Sequence, residues 1–215
     1  MGTLTASSFC RSRRHAKICL SIITATTRLN NIVSIFETVS PGIRFFNLRW
    51  LVIIDGSKCN GSINIQFPRF VEIRTLGSSS LGYDQKNIGI DLATKPGWVF
   101  FLDDDNLIHP QFFNAMHKNI VAFPSAKGFI FQQQFIWPPG DKKVQTRQVG
   151  KDKVKVCQID QAQFLLHTDI LDNVRYETMY AGDGKFIENI FRNRSKDFVF
   201  INEVLSYYNW MKVKR

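Results

Sequence analysis

Three short apolar runs, at residues 18–24, 50–54 and 98–102, most strongly constrain the fold of this chain. They are rich in β-branched and aromatic residues and show no strict alternation of polar and apolar positions. Strands that are buried on both faces have this pattern, and such strands are typical of parallel sheets covered by helices. The three runs therefore predict a parallel sheet at the centre of the molecule.

Helical patterns lie between these predicted strands. Residues 32–39 place apolar side chains at i, i+3, i+4 and i+7 and end before Pro41, and a shorter pattern predicts a helix over residues 87–94. An alternating stretch at residues 70–74 predicts a more exposed strand. This order of elements predicts the α/β class: a Rossmann-like, mixed and mostly parallel sheet with helices on both faces. No repeat or linker interrupts residues 17–215, so we expect a single domain.

The charge of the chain is unusual. Twenty-eight Lys and Arg residues against 18 Asp and Glu give a net charge of +10, which favours polyanionic partners such as nucleic acids, anionic membrane surfaces or phosphorylated substrates. Residues 1–16 are rich in Ser and Arg and lack the apolar stretch of a secretory signal. We expect a flexible basic arm there, suited to peripheral contact with an anionic membrane, on a cytoplasmic protein. No run approaches the roughly 18 to 20 apolar residues of a membrane span.

Polar residues follow each of the three apolar runs. They are residues 24–28, 55–57 and 103–105, and the last group is Asp-Asp-Asp. Ligands of open α/β sheets bind outside the carboxyl ends of the strands, so the three groups are expected to meet at one rim.

The aspartate triplet should need a counter-charge, because three adjacent carboxylates repel one another. Oxygen ligands of this kind suit Mg²⁺ or Mn²⁺, which also coordinate substrate phosphates. A solvated turn is the alternative interpretation. We expect Asp105 to be an exposed carboxylate at the rim.

Four segments in order resemble a known family. Residues 26–28 follow the first strand, residues 51–57 are similar to a "vvDdgS" element, residues 85–90 to "aRNxG", and residues 101–106 to a "DxD" segment. Together they resemble the nucleotide-binding half of a GT-A glycosyltransferase, most similar to the family 2 type. The resemblance implies a nucleotide-binding half over residues 17–110 and an acceptor and catalytic half over residues 111–215.

The resemblance also implies which residues bind a nucleotide-sugar donor, most simply a UDP-sugar: Thr26, Arg28, Asp55, Lys86, Asp103 and Asp104. Asp55 would contact the uracil or ribose. Lys86 stands where the family has an arginine, so it would offer the phosphates a cation without a bidentate fork.

The remaining implied roles concern metal, catalysis and acceptor. Asp105, with Asp103, would hold Mn²⁺ or Mg²⁺ at the diphosphate. Asp183 would be the general base of an inverting transfer to a hydroxyl of a glycan or glycoprotein acceptor, with Asp160 and Gln161 facing that acceptor. Asp183 is expected to be exposed by its flanking glycines and to open a helix. It could also be only a helix cap, and the helix N-terminus would lower its basicity.

Departures from the family pattern leave other functions open. Gly56 and Gly182 stand where the family has acidic residues, and no QxxRW segment is present, which argues against a processive polysaccharide synthase. A basic nucleic-acid-binding module and a nucleotide-sugar pyrophosphorylase are the alternatives. No basic helical stripe or aromatic strand motif supports a specific nucleic-acid partner, and residues 24–28 lack the glycines of a pyrophosphorylase loop.

Overall fold

The computed structural model describes residues 17–76, 82–137, 143–171 and 173–211. The basic arm predicted at residues 1–16 lies outside the described residues.

Four parallel strands form the first half of the sheet: β1 (Cys19–Thr26), β2 (Asn47–Asp55), β3 (Phe70–Thr75) and β4 (Trp98–Phe101). They lie in the order β3-β2-β1-β4. At the centre, Ile22 of β1 is in register with Trp50 on one side and with Phe100 on the other. The predicted strands are confirmed in this half.

The second half continues the same sheet with five more strands: β5 (Leu107–Ile108), β6 (Gly128–Ile136), β7 (Val144–Arg147), β8 (Phe164–His167) and β9 (Phe198–Tyr208). The order after β4 is β8-β6-β9-β5, and β7 pairs with β6. β8 is antiparallel to both of its neighbours, whereas β6 and β9 are parallel. Most strands of the described part therefore point the same way, and the predicted mixed, mostly parallel α/β sheet is confirmed.

Helices cover both faces of this sheet: α1 (Ile32–Val39), α2 (Tyr83–Leu92), α3 (Phe112–Ala122) and α4 (Gly182–Arg194). α1 and α3 pack into one apolar cluster, and α2 and α4 into another. Neighbouring residues of β1 divide between the two, with Ile22 in the first and Ile23 in the second, because side chains alternate along a strand. The predicted covering of both faces is confirmed.

The start of α2 differs from the prediction. The helix was expected over residues 87–94, but it begins four residues earlier, at Tyr83. Its first turn buries Gln85 and Lys86, so apolar periodicity gives no signal there. Gly82, with a φ of 75°, precedes the helix and reverses the chain into it.

Gly89 lets α2 lie close to β1. A Cβ at this position would lie 2.4 Å from Cγ2 of the fully buried Ile23. The glycine of the "aRNxG" segment therefore has a packing reason, and the position of Lys86 on α2 depends on that close approach.

We predict that Gly89→Ala destabilises the fold. Overpacking should cost about 1 to 3 kcal/mol, and the better helix propensity of Ala should offset about 1 kcal/mol of it. Urea denaturation measures the difference. Gly150→Ala is the control, because a Cβ there meets the Oδ1 of an exposed Asp152 side chain that can move aside. Equal stability losses in both variants would contradict the close approach.

Candidate active site

A pocket of about 580 Å³ opens where β1, β2 and β4 end. It is lined by nine of the predicted site residues: Thr26, Arg28, Asp55, Lys86, Asp103, Asp104, Asp105, Asp160 and Asp183. The predicted meeting of three strand ends at one rim is thus seen in the structure. Gln161 is the predicted residue that does not line the pocket.

Asp104 holds the end of β1 in place. Its Oδ2 accepts hydrogen bonds from Thr26 Oγ1 at 2.9 Å and from the backbone N–H groups of Thr27 and Arg28 at 3.0 Å each. Its Oδ1 accepts from Arg28 Nε at 2.9 Å and also from Nη2 of the same side chain. Both oxygens of this buried carboxylate are therefore engaged by protein donors, so Asp104 shapes this part of the pocket wall.

Asp103 and Asp105 each face a cation. Asp105 Oδ2 lies 3.1 Å from Arg28 Nη2, and Asp103 Oδ1 lies 3.2 Å from Lys86 Nζ. The counter-charges expected for the triplet are therefore Arg28 and Lys86. The expectation that Asp105 is exposed is wrong: only 6% of the residue is accessible, because the turn after β4 folds back onto Arg28.

Asp55 forms a tight turn at the end of β2. Its Oδ1 accepts from the N–H of Ser57 at 3.1 Å and from Ser57 Oγ at 2.6 Å, and its Oδ2 lies 3.1 Å from Lys58 Nζ. The residue is 3% exposed, yet it lines the pocket. A turn of this kind fixes the carboxylate of Asp55 at the wall of the pocket.

An aromatic column connects α2 with α4. Tyr83 stacks on Tyr176, which stacks on Phe186 with ring centroids 4.1 Å apart. Lys86 Nζ lies 5.0 Å from the Tyr83 ring centroid and 5.5 Å from that of Tyr176. The side-chain amide of Asn87 exchanges two hydrogen bonds with the backbone of Tyr176. The "aRNxG" segment thus positions the loop before α4.

Asp183 lies in the first turn of α4. The N-cap is Ala181, in the left-handed region with φ 55°, so Asp183 is the second helical residue. The backbone N–H of Gly182 donates to Tyr83 Oη at 3.0 Å, which fixes this helix end to the aromatic column. The interpretation of Asp183 as the N-cap is therefore wrong, because the N-cap is Ala181, two residues earlier than the cap pattern suggested.

The pKa of Asp183 is raised, contrary to the expected effect of the helix end. Burial is the main cause, and the hydrogen bond from the N–H of Gly184 and the charge of Lys86 oppose it. The side chain is only partly accessible, so the expectation that its glycines expose it is wrong. Those glycines serve close packing: a Cβ on Gly184 would lie 2.9 Å from the Cα of Val156.

Asp160 lines the pocket together with Asp183. Its Oδ1 accepts from Ala162 N–H at 2.9 Å and from Gln133 Nε2 at 2.8 Å. Burial, together with the charge of Asp183, raises the pKa of Asp160 to about 7. Two carboxyls with raised pKa values therefore stand at the same end of the cleft.

Gln161 is placed differently from the prediction. It is fully buried beside the pocket, and within the described part of the chain its side-chain oxygen and nitrogen have no hydrogen-bond partner. Gln161 begins a short 3₁₀ turn that leads into β8.

Sequence analysis missed several lining residues, of which Arg147 and Asn209 are the most informative. Arg147 ends β7, and its guanidinium lies 5.2 Å from the Phe135 ring and 5.1 Å from the Tyr208 ring. Asn209 has φ 56° at the end of β9, and its N–H donates to Asn106 Oδ1 at 2.9 Å. The positive φ of Asn209 had no signal in the sequence other than the residue type, because Asn adopts a positive φ more often than most non-glycine residues. Arg147 carried no such signal, because the pairing of β7 with β6 brings it to the pocket and no local sequence pattern indicates that pairing.

Within the described ranges, no cluster of three or more His, Cys, Asp or Glu side chains is arranged to hold a metal ion. Asp103 and Asp105 supply two carboxylates to the same pocket. Mg²⁺ is usually bound through one or two carboxylates together with substrate phosphates and waters. These two carboxylates therefore fit a metal ion whose remaining ligands come from a phosphorylated substrate and water. They do not fit a structural metal site, in which the protein supplies all the ligands.

Comparisons with known proteins place the fold. No protein-family model matches the sequence, and no curated protein matches it. Three crystal structures of TarS, a glycosyltransferase from S. aureus, do match in structure. TarS 1–349 has a TM-score of 0.67 at 12% identity, with 88% of this chain and 60% of that chain covered.

The other two structures agree. TarS 1–349 in complex with UDP-GlcNAc has a TM-score of 0.66 at 12% identity, covering 89% of this chain and 58% of that one. A longer TarS structure has a TM-score of 0.63 at 12% identity, covering 88% and 36%. This chain thus spans about 60% of the length of the first of these structures. No described helix is both long enough and apolar enough to cross a membrane.

We predict that Asp104→Ala destabilises the protein. The change removes the acceptor that the Thr26 hydroxyl, the backbone N–H groups of Thr27 and Arg28 and the Arg28 Nε share. Although the Arg28 guanidinium keeps Asp105 as a partner, this loss should cost about 2 to 4 kcal/mol in the free energy of unfolding. Chemical denaturation measures it. Asp169→Ala removes an exposed ion pair with Lys127 and should cost less than about 1 kcal/mol. If the Asp104 variant were as mildly affected, the carboxylate would not be holding the end of β1.

The chain therefore has a GT-A-like fold, which it shares with the TarS structures, and a polar cleft opens at the ends of its parallel strands.

Proposed function

We propose that this protein transfers a sugar from a nucleotide-sugar donor, a UDP-sugar, to a hydroxyl of a glycan or glycoconjugate acceptor, with inversion. One observation carries the proposal: the same pocket is lined by Asp55 and Arg28, by the carboxylates of Asp103 and Asp105, and by Asp183, whose pKa is raised by burial. A displacement at a sugar carbon needs groups that bind the nucleotide, groups that bind a metal at the diphosphate, and a base.

Both the fold and the geometry support the proposal that the pocket binds a nucleotide-sugar donor. The structurally similar TarS was crystallised in complex with UDP-GlcNAc. In this chain, Thr26, Arg28 and Asp55 stand at the ends of β1 and β2, the edge at which open α/β sheets bind nucleotides. We assign them to the nucleoside, with Asp55 as acceptor for a ribose hydroxyl or the uracil N–H.

The middle of the pocket would bind the diphosphate. Asp103 and Asp105 would hold Mn²⁺ or Mg²⁺, which stabilises the charge on the departing UDP when it is bound. Lys86 and Arg28 lie beside these carboxylates and would add positive charge at the phosphates.

Asp183 would take the proton from the acceptor hydroxyl. Its carboxylate oxygen accepts the proton as the acceptor oxygen attacks the anomeric carbon, and the bond to the UDP oxygen breaks on the opposite side. Burial raises the pKa of Asp183, which makes it a stronger base than an exposed aspartate. A single displacement inverts the anomeric configuration.

A nucleotide-sugar pyrophosphorylase is less well supported. That activity needs a glycine-rich, arginine-bearing phosphate loop after the first strand. Residues 26–28 contain no glycine, and their backbone N–H groups at Thr27 and Arg28 are already engaged by Asp104.

We predict that Asp183→Asn lowers the transfer rate by about 100-fold or more, because the amide cannot accept the proton. UDP affinity should stay within about threefold, since the side chain acts in the transition state. The wild-type rate should rise with pH through the raised pKa of Asp183 and then level off, because only the ionised carboxylate is a base. Transfer to a panel of glycan acceptors and calorimetry with UDP measure the two effects.

Glu188→Gln is the matched control, because Glu188 lies on the same helix and pairs with the exposed Arg192. It should transfer at a normal rate. A near-normal rate for Asp183→Asn, or a product with retained configuration, would exclude Asp183 as the base.

We also predict that wild-type protein binds UDP more tightly with Mn²⁺ than with EDTA, and that Asp105→Asn removes most of this difference. The amide lacks the charge that an ion-bound carboxylate provides. Calorimetry measures UDP affinity under both conditions. Because Asp105 also pairs with Arg28, thermal unfolding must first show that the variant is folded. An undiminished Mn²⁺ effect in a folded variant would remove Asp105 from the metal site.

A further inference from the structure

Arg147 is a preorganised cation at the end of the pocket. Its guanidinium lies over the Phe135 and Tyr208 rings. Nη1 donates to Gln133 Oε1 at 2.5 Å and lies 3.4 Å from Gln163 Oε1. Both glutamines are buried, so neutral groups fix the orientation of the side chain.

Arg147 differs from the other cations of the pocket in having no carboxylate partner. Arg28, Lys58 and Lys86 each form an ion pair with an aspartate. Over residues 17–76, 82–137, 143–171 and 173–211, no carboxylate forms an ion pair with Arg147, and no group accepts a hydrogen bond from its Nε or Nη2.

The nearby Asp160 does not neutralise Arg147 by contact. The positive charge lowers the pKa of Asp160, but burial and the charge of Asp183 outweigh it. Asp160 directs its Oδ1 to Ala162 N–H and Gln133 Nε2. Nε and Nη2 of Arg147 are therefore available to a ligand that binds in the pocket.

The position of Arg147 separates it from the nucleotide. Arg147 is in register with Gln133 of β6, and four strand spacings separate β2 from β6 in the sheet, which amounts to about 19 Å. Asp103 and Asp105, the proposed metal ligands at the diphosphate, follow β4, and β4 lies between β2 and β6 in the sheet. Arg147 therefore lies beyond the diphosphate, on the side of Asp160.

We propose that Arg147 binds an oxyanion of the acceptor, a phosphate ester or a carboxylate, so that the protein acts on an anionic glycan or glycan-like chain. This inference rests on the proposed transfer reaction. A planar guanidinium matches both oxyanions with paired hydrogen bonds. The net charge of +10 would further attract an anionic acceptor.

The experiment uses two pairs of small probes that differ in the anion: glycerol 3-phosphate with glycerol, and glucuronate with glucose. Each is titrated against the protein with and without saturating UDP and Mg²⁺, and binding is followed by ligand-observed NMR. UDP blocks the donor end, so the remaining anion preference reports on the acceptor end. The two pairs show whether phosphate or carboxylate is preferred.

We expect the UDP-loaded wild type to bind at least one anion about tenfold or more tightly than its neutral twin. Arg147→Gln should abolish that preference, and Arg147→Lys should keep part of it without the fork. Arg192→Gln is the matched control: it removes the same charge from an exposed position on α4 and should change nothing. Thermal unfolding and an unchanged UDP affinity show that the Arg147 variants are intact.

Three outcomes would overturn the inference: no anion preference in the UDP-loaded wild type, an undiminished preference in folded Arg147→Gln, or a tenfold loss of UDP affinity in that variant, which would assign Arg147 to the donor. A wild type that fails to bind UDP contradicts the proposed function instead. The titrations without UDP still test Arg147 in that case.

Discussion

The site depends first on the carboxylate of Asp104. This buried group joins the end of β4 to the end of β1 by accepting from Thr26, Thr27 and Arg28. Parallel strands bring two polar loops to the same edge, but they do not by themselves fix the loops against each other. Asp104 does so, and it leaves Arg28 beside Asp105. The acidic segment at residues 103–105 therefore has a structural role through Asp104, and only part of it is available to a ligand.

Charge is distributed unevenly along the cleft as a result. Asp103 and Asp105 are each matched by a cation, so the proposed nucleotide diphosphate and its metal would enter a balanced site. Burial raises the pKa values of Asp160 and Asp183, and within the described part of the chain Arg147 contacts neutral glutamines and aromatic rings. These three residues fit the proposed proton transfer and the proposed contact with an anion.

The aromatic column of Tyr83, Tyr176 and Phe186 joins the two ends mechanically. It links α2, which carries Lys86, to the first turn of α4, which carries Asp183, and Tyr83 Oη accepts from the N–H of Gly182. The positions of Lys86 and Asp183 are thus set by one packed unit. Stacked rings and a hydrogen bond leave little freedom between them.

The sequence by itself determined the parallel sheet, helices such as α1 and the edge at which the site would form, because these follow from local periodicity and from the rule that ligands bind at strand ends. The resemblance to GT-A enzymes added Asp183 and Lys86. Only the tertiary structure decided the rest: the burial that raises the pKa of Asp183, the engagement of Asp104, the exclusion of Gln161 and the presence of Arg147. Each of these depends on contacts between residues far apart in the chain, such as Arg28 with Asp104, and local sequence patterns carry no information about such pairings.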